Sequence, residues 1–145
     1  MVARNYARLS LPVRASARAI YDAFVEPEQL SRFWLGKSSA PLEVGVPVRW
    51  DFMVPGASET TTASKLVRGE LIRFAWSDGV KVAITIERRS RTQSVVRIAA
   101  GPFRSTSRAV DAVEGFSIVL CDLKVLLESG RSPGLVRAKA RLIAG

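Results

Sequence analysis

The sequence predicts an α+β fold: a curved antiparallel sheet of about six strands wrapped around one long C-terminal helix. Three observations carry that expectation. Residues 107–130 keep a helical spacing of apolar side chains, most of the chain between residues 44 and 101 alternates with period two, and two short helical segments separate the first strand from the rest. An antiparallel meander keeps one wet face and one buried face, and only the C-terminal helix is long enough to cover the buried one.

Taken in order, residues 6–13 place Ala7, Leu9, Leu11 and Val13 on one side and Tyr6, Arg8 and Ser10 on the other, a half-buried strand. Ser16 caps a short helix turned inward through Ala17, Ile20, Ala23 and Phe24. Pro27 stops it and opens a second helix at its first turn. Leu30, Phe33 and Trp34 form the buried side of that helix, Gly36 ends it, and a loop follows.

The clearest strand comes next: Val44, Val46, Val48, Trp50, Phe52 and Val54 alternate with Gly45, Pro47, Arg49, Asp51 and Met53. Pro47 has no ladder donor, which favours an edge or a bulge. Pro55-Gly56 turns the chain into a threonine-rich strand over residues 59–67. Its inward set is either Thr62, Ser64 and Leu66 or Ala63, Lys65 and Val67. After a turn at Arg68-Gly69, Ile72, Phe74 and Trp76 alternate with Leu71, Arg73 and Ala75. Asp78-Gly79 signals a two-residue hairpin into Val80, Val82, Ile84 and Ile86. A basic loop from Arg88 to Arg91 leads to the last strand, with Val96, Ile98 and Ala100 inward and Gly101-Pro102 closing it.

On the long helix, Ala109, Ala112, Val113, Phe116, Val119, Leu120, Leu123, Leu126 and Leu127 share one stripe at ~100° per residue. Asp111, Glu114, Asp122, Lys124 and Glu128 fall opposite. Ser107 or Asp111 can cap the start, Asp111 and Glu114 having capping-box spacing; Gly130 and then Pro133 end it. Ile118, Cys121 and Val125 make a narrow apolar strip on the polar side. The helix-friendly segment Leu135–Ala144, or a second subunit, is expected to cover that strip; scattered exposed apolar side chains are the alternative.

A chain of 145 residues with 48% hydrophobic composition is the size of one domain and can bury roughly 70% of its unfolded surface. No apolar run approaches the ~20 residues of a membrane span, and the N-terminus, with Arg4 and Arg8, has no apolar signal-peptide core. The single cysteine, Cys121, excludes an internal disulfide and fits a reducing compartment, so a cytoplasmic location is expected. The net charge of +9 raises nucleic acid as a partner. Its distribution argues against a dedicated groove: Arg4, Arg8, Arg14, Arg18, Arg32, Arg49, Arg73 and Arg97 are scattered singly. Clusters occur only at Arg88, Arg89 and Arg91 and in a basic tail over residues 131–145, at Arg131, Arg137, Lys139 and Arg141.

The run Ser16-Ala17-Arg18-Ala19-Ile20-Tyr21-Asp22-Ala23-Phe24-Val25-Glu26-Pro27-Glu28-Gln29-Leu30-Ser31-Arg32-Phe33-Trp34 resembles the N-terminal signature of the SRPBCC (START-like) superfamily. More narrowly it is similar to the branch homologous to the activator of heat-shock-protein-90 ATPase. Leu71 to Trp76 and Glu114-Gly115-Phe116, followed by Leu120, Leu123, Lys124 and Leu127, match in order and spacing, so that the resemblance covers about residues 4–130 of a single domain. Phe33 and Phe116 stand where that branch often has tryptophan. The resemblance implies a helix-grip fold with a hydrophobic cavity between sheet and helix. It also implies a carrier or sensor of a small hydrophobic ligand, a stress-response module contacting a chaperone or a second copy, or a polyketide-cyclase-like enzyme.

The residues speak against strong acid-base chemistry. There is no histidine, which removes the usual neutral-pH base and the commonest metal ligand, and one cysteine makes no zinc site. Asp51 and Glu87 lie opposite the inward positions of their strands; Glu70 can share the face of Ile72 at the cavity mouth, but a surface turn is the favoured place for it. No catalytic residue, metal ligand or cofactor is therefore expected. The candidate ligand-binding residues are the inward aromatics Trp34, Trp50, Phe52, Phe74, Trp76 and Phe116, with Leu120. For Phe52 and Phe74 ordinary core is the competing reading; for Trp50 and Trp76 a pocket rim would supply the partner that a buried indole N–H needs.

Overall fold

The computed structural model describes residues 5–145; Arg4 lies outside the described residues. The elements run β1 (Asn5–Val13), α1 (Ala17–Val25), α2 (Pro27–Phe33), β2 (Leu35–Ser38), β3 (Pro47–Phe52), β4 (Ser58–Val67), β5 (Leu71–Trp76), β6 (Lys81–Ser90), β7 (Gln93–Phe103), α3 (Thr106–Ser129) and α4 (Leu135–Ala144). All strands join one antiparallel seven-stranded sheet in the order β1-β7-β6-β5-β4-β3-β2. The chain is thus a meander from β2 to β7, closed by β1 alongside β7, with α3 on the buried face. This is the helix-grip architecture.

The local signals act as read at several points. The Ser16 side chain accepts from Ala19 N at 3.1 Å, and Pro27 opens α2. Gly130, at φ +84°, ends α3 with its N–H donating to Leu126 O at 2.8 Å. The tail forms a helix over Leu135–Ala144. Along the sheet, Val82, Ile84, Ile86, Val96, Ile98 and Ala100 are all buried, as alternation requires.

Other points differ, each for a physical reason. Residues after α2 form β2 rather than a loop: Leu35–Ser38 pairs with β3 across a register shift, so four residues carry no readable alternation. β3 begins at Pro47, leaving Val44 and Val46 exposed; Pro47 stands at the strand start beyond the reach of β2, where no outer donor is missed. In β4, both inward sets are used in part. Thr61 and Ala63 are buried, a register shift falls between Ala63 and Lys65, and past it Leu66 packs on the core. A bulge turns the strand by one residue and adds curvature.

The Asp78-Gly79 turn is one residue longer than expected: Gly79 N donates to Trp76 O, Trp76 N donates to Val80 O, and Gly79 takes φ +92°. β7 does not close at Gly101-Pro102 but runs on to Phe103. Finally α3 starts one residue earlier than expected, capped by neither Ser107 nor Asp111. Ser105 does it, accepting from Arg108 N at 3.2 Å.

One polar cluster ties α3 to the end of β1. Glu128 accepts from Arg14 N at 2.8 Å and from Lys124 Nζ at 2.6 Å, while Lys124 also donates to Pro12 O at 2.8 Å. These contacts, the Arg14 backbone N–H foremost and then the Lys124 ammonium, hold the Glu128 carboxyl down at about 2.

Candidate functional site

Aromatic side chains from five elements meet beneath α3. Trp34, which ends α2, lies 5.1 Å from Trp50 of β3 and 6.0 Å from Phe116 of α3, ring centre to ring centre. Trp50 is 5.1 Å from Phe74, and Trp76 lies nearly parallel to Phe116 at 6.1 Å and 6°. The remaining pairs are mostly edge-to-face, the geometry the ring quadrupoles favour. Phe24 and Phe33 extend the cluster toward the helical end.

This cluster has two layers. One side of it opens on a cavity of about 370 Å³, lined by Trp34, Phe52, Trp76, Phe116, Phe103, Met53, Val54, Ala57, Ala112, Gly115, Ile118 and Val119. Val136, Lys139, Ala140 and Ile143 of α4 complete the wall. Of the sequence-derived candidates, Trp34, Phe52, Trp76 and Phe116 line this cavity. Trp50, Phe74 and Leu120 do not: each is at most 1% exposed and sits in the layer behind.

Among the described residues, three buried polar atoms have no partner in the protein: Trp50 Nε1, Thr61 Oγ1 and Trp76 Nε1. Thr61 stands directly opposite Trp76 in the β4–β5 ladder, and the two indoles are 6.5 Å apart. A buried donor without an acceptor costs about 1–3 kcal/mol. The expected rim partner is absent for both indoles: Trp50 lies wholly inside the core, and Trp76 lines the cavity with its ring while its Nε1 stays buried.

The wall built by α4 depends on a residue that the helical pattern placed on a wet face. Asp122 is 1% exposed. It accepts from Ser132 Oγ at 2.7 Å, Leu135 N at 2.9 Å and Val136 N at 3.3 Å. The residue in the N-cap position of α4, Gly134, has no side chain to cap with, so Asp122 performs this task from another helix. In consequence α4 lies over Asp122 and beside Ile118. Cys121 and Val125 of the apolar strip stay exposed, so the expected cover reaches only one end of it.

The tail cations divide as well: Arg131, Arg137 and Arg141 are exposed, while Lys139 lines the cavity and pairs with Glu114 at 2.5 Å. Lys139 and Gly115 are among the lining residues that sequence reasoning missed. Gly115 sits in the middle of α3, and a Cβ built on it meets nothing within 4 Å. Glycine inside a helix costs about 1 kcal/mol relative to alanine; Gly115 is exposed and lies on the open side of the cavity wall. No described helix is long and apolar enough to cross a membrane.

No family model and no curated protein matches the chain. Solved structures do. A structural-genomics protein from Staphylococcus saprophyticus is 24% identical, with 88% of this chain and 94% of that one covered at a TM-score of 0.79. The Aha1 dimer from Colwellia psychrerythraea is 20% identical, covering 91% and 100% at 0.80. DynU16, from the dynemicin biosynthetic locus, is 19% identical over 90% of this chain and 49% of its own, at 0.80. These likenesses, all under 25% identity, show the fold.

Proposed function

We propose that the protein binds a compact hydrophobic or aromatic ligand in the cavity between β3–β5, α3 and α4, as a carrier or sensor. The observation that carries this reading is the cavity itself, walled by Trp34, Phe52, Trp76, Phe116 and aliphatic side chains with Lys139 as its one charged member, and left open at the exposed Gly115. A volume of about 370 Å³ lies at the small end of the range typical of small-molecule sites, which favours a compact guest over a sterol. Tryptophan fluorescence reports directly, because Trp34 and Trp76 are in the wall.

Titration with compact aromatics, flavonoids, fatty acids and sterols should give saturable quenching by the first group. Gly115→Leu should fill the space and weaken that binding at least tenfold without lowering the melting temperature, since leucine is the better helix former. A flat response across the panel, or binding that survives Gly115→Leu, overturns the proposal.

A second reading, a module that contacts a protein partner or a second copy, is favoured by Leu142 and Val125, exposed at 73% and 40%. Light scattering that finds only monomer would remove the self-association form of it. A cyclase-type activity would rest on shape alone, because Lys139 is the sole ionisable side chain lining the cavity among the described residues.

A further inference from the structure

We infer that the guest is an amphipathic anion, an apolar or aromatic body carrying a carboxylate that Lys139 holds at the cavity rim. The inference rests on the cavity being a ligand site and adds the chemical class of what it takes. No described side chain lining the cavity contains an oxygen atom. The one charged side chain of the wall is therefore Lys139, a donor; the unpartnered Trp76 Nε1 is buried and does not face the opening. A guest must supply the acceptors, and a carboxylate suits an ammonium better than a neutral carbonyl does.

Glu114 currently fills that role. It pairs with Lys139 from α3, but its side chain is 57% exposed against 35% for Lys139. The pair straddles the rim, with the carboxylate on the wetter side. An exposed ion pair contributes little, so an incoming carboxylate exchanges with Glu114 at small cost, and Glu114 returns to water. The +9 net charge raises the local concentration of anions on approach. Glu114 is thus a competitor for the same cation, which makes the two substitutions act in opposite directions.

The test uses the full chain and two probes of equal shape, 2-naphthoate and neutral 2-naphthamide, titrated by tryptophan fluorescence and calorimetry. The carboxylate should bind about five- to tenfold more tightly than the amide. Lys139→Gln should abolish that ratio. Glu114→Gln should tighten carboxylate binding several-fold and leave the amide unchanged. Both positions are on helix surfaces, and circular dichroism checks that each variant folds. Equal affinity for the two probes, or a ratio that survives Lys139→Gln, overturns the inference while Gly115→Leu still blocks both probes and sustains the site. If neither probe binds, the site and the inference fall together.

Discussion

Replacing Asp122 with alanine should unseat α4 while the rest of the protein stays folded. The substitution removes the acceptor of Ser132 Oγ, Leu135 N and Val136 N. Loss of an N-cap costs about 1 kcal/mol, and a hydrogen bond to a charged group about 1.5–3 kcal/mol. The loss cannot exceed what holds α4 in place, chiefly Ala140, buried, and Val136, half-buried, together worth about 2–3 kcal/mol. An expected loss of about 2 kcal/mol corresponds to a roughly 30-fold larger opening equilibrium for α4.

Hydrogen exchange read by mass spectrometry is the direct assay, because it reports opening segment by segment. Peptides covering Leu135–Ala144 should exchange about 10- to 30-fold faster in Asp122→Ala, with β6 and β7 unchanged. Asp122→Asn, which keeps one acceptor oxygen, should fall between. Unchanged protection of α4 in Asp122→Ala would refute the reasoning that a carboxylate borrowed from α3 caps the tail.

Two further outcomes are expected. With the Glu128 carboxyl held at about 2 against an ordinary 4.5, its stabilisation is complete above pH 4.5 and disappears as pH falls from 4.5 toward 2. Arg14 is 76% exposed, so solvent screening reduces the contribution to about 1 kcal/mol. Thermal melts of wild type and Glu128→Gln should differ at pH 7 and converge near pH 2, and a gap independent of pH would contradict this. Gly101→Ala should lower the melting temperature by about 3–10 °C, because a Cβ there would lie 2.7 Å from Tyr6 Cδ1 and 3.0 Å from Asn5 O at φ +149°; an unaltered melt would show that the neighbouring strand can move aside.

The elements that could be read before folding were those whose signal is local. Alternation named the inward residues of β1, β5, β6 and β7; Ser16 and Gly130 set helix limits through hydrogen bonds that span at most four residues, and Pro27 through its fixed φ. Leu135–Ala144 announced itself as a helix for the same reason. Where the signal depends on a distant partner, the pattern was silent. β2 exists because β3 offers it an edge, and the inward set of β4 changes at a bulge that only pairing with β5 reveals.

The site divides along the same line. That aromatic side chains on alternate strand positions meet under the last helix follows from period two alone. Which of them face a cavity was decided by curvature and by α4: Trp34, Phe52, Trp76 and Phe116 border it, whereas Trp50, Phe74 and Leu120 are covered. Asp122 and Lys139 carry the plainest lesson. Helical spacing gives the direction of a side chain on its own helix, but not what packs against it. Asp122 is buried because another helix needed a cap, and Lys139 lines a cavity because that cap holds its helix over the opening.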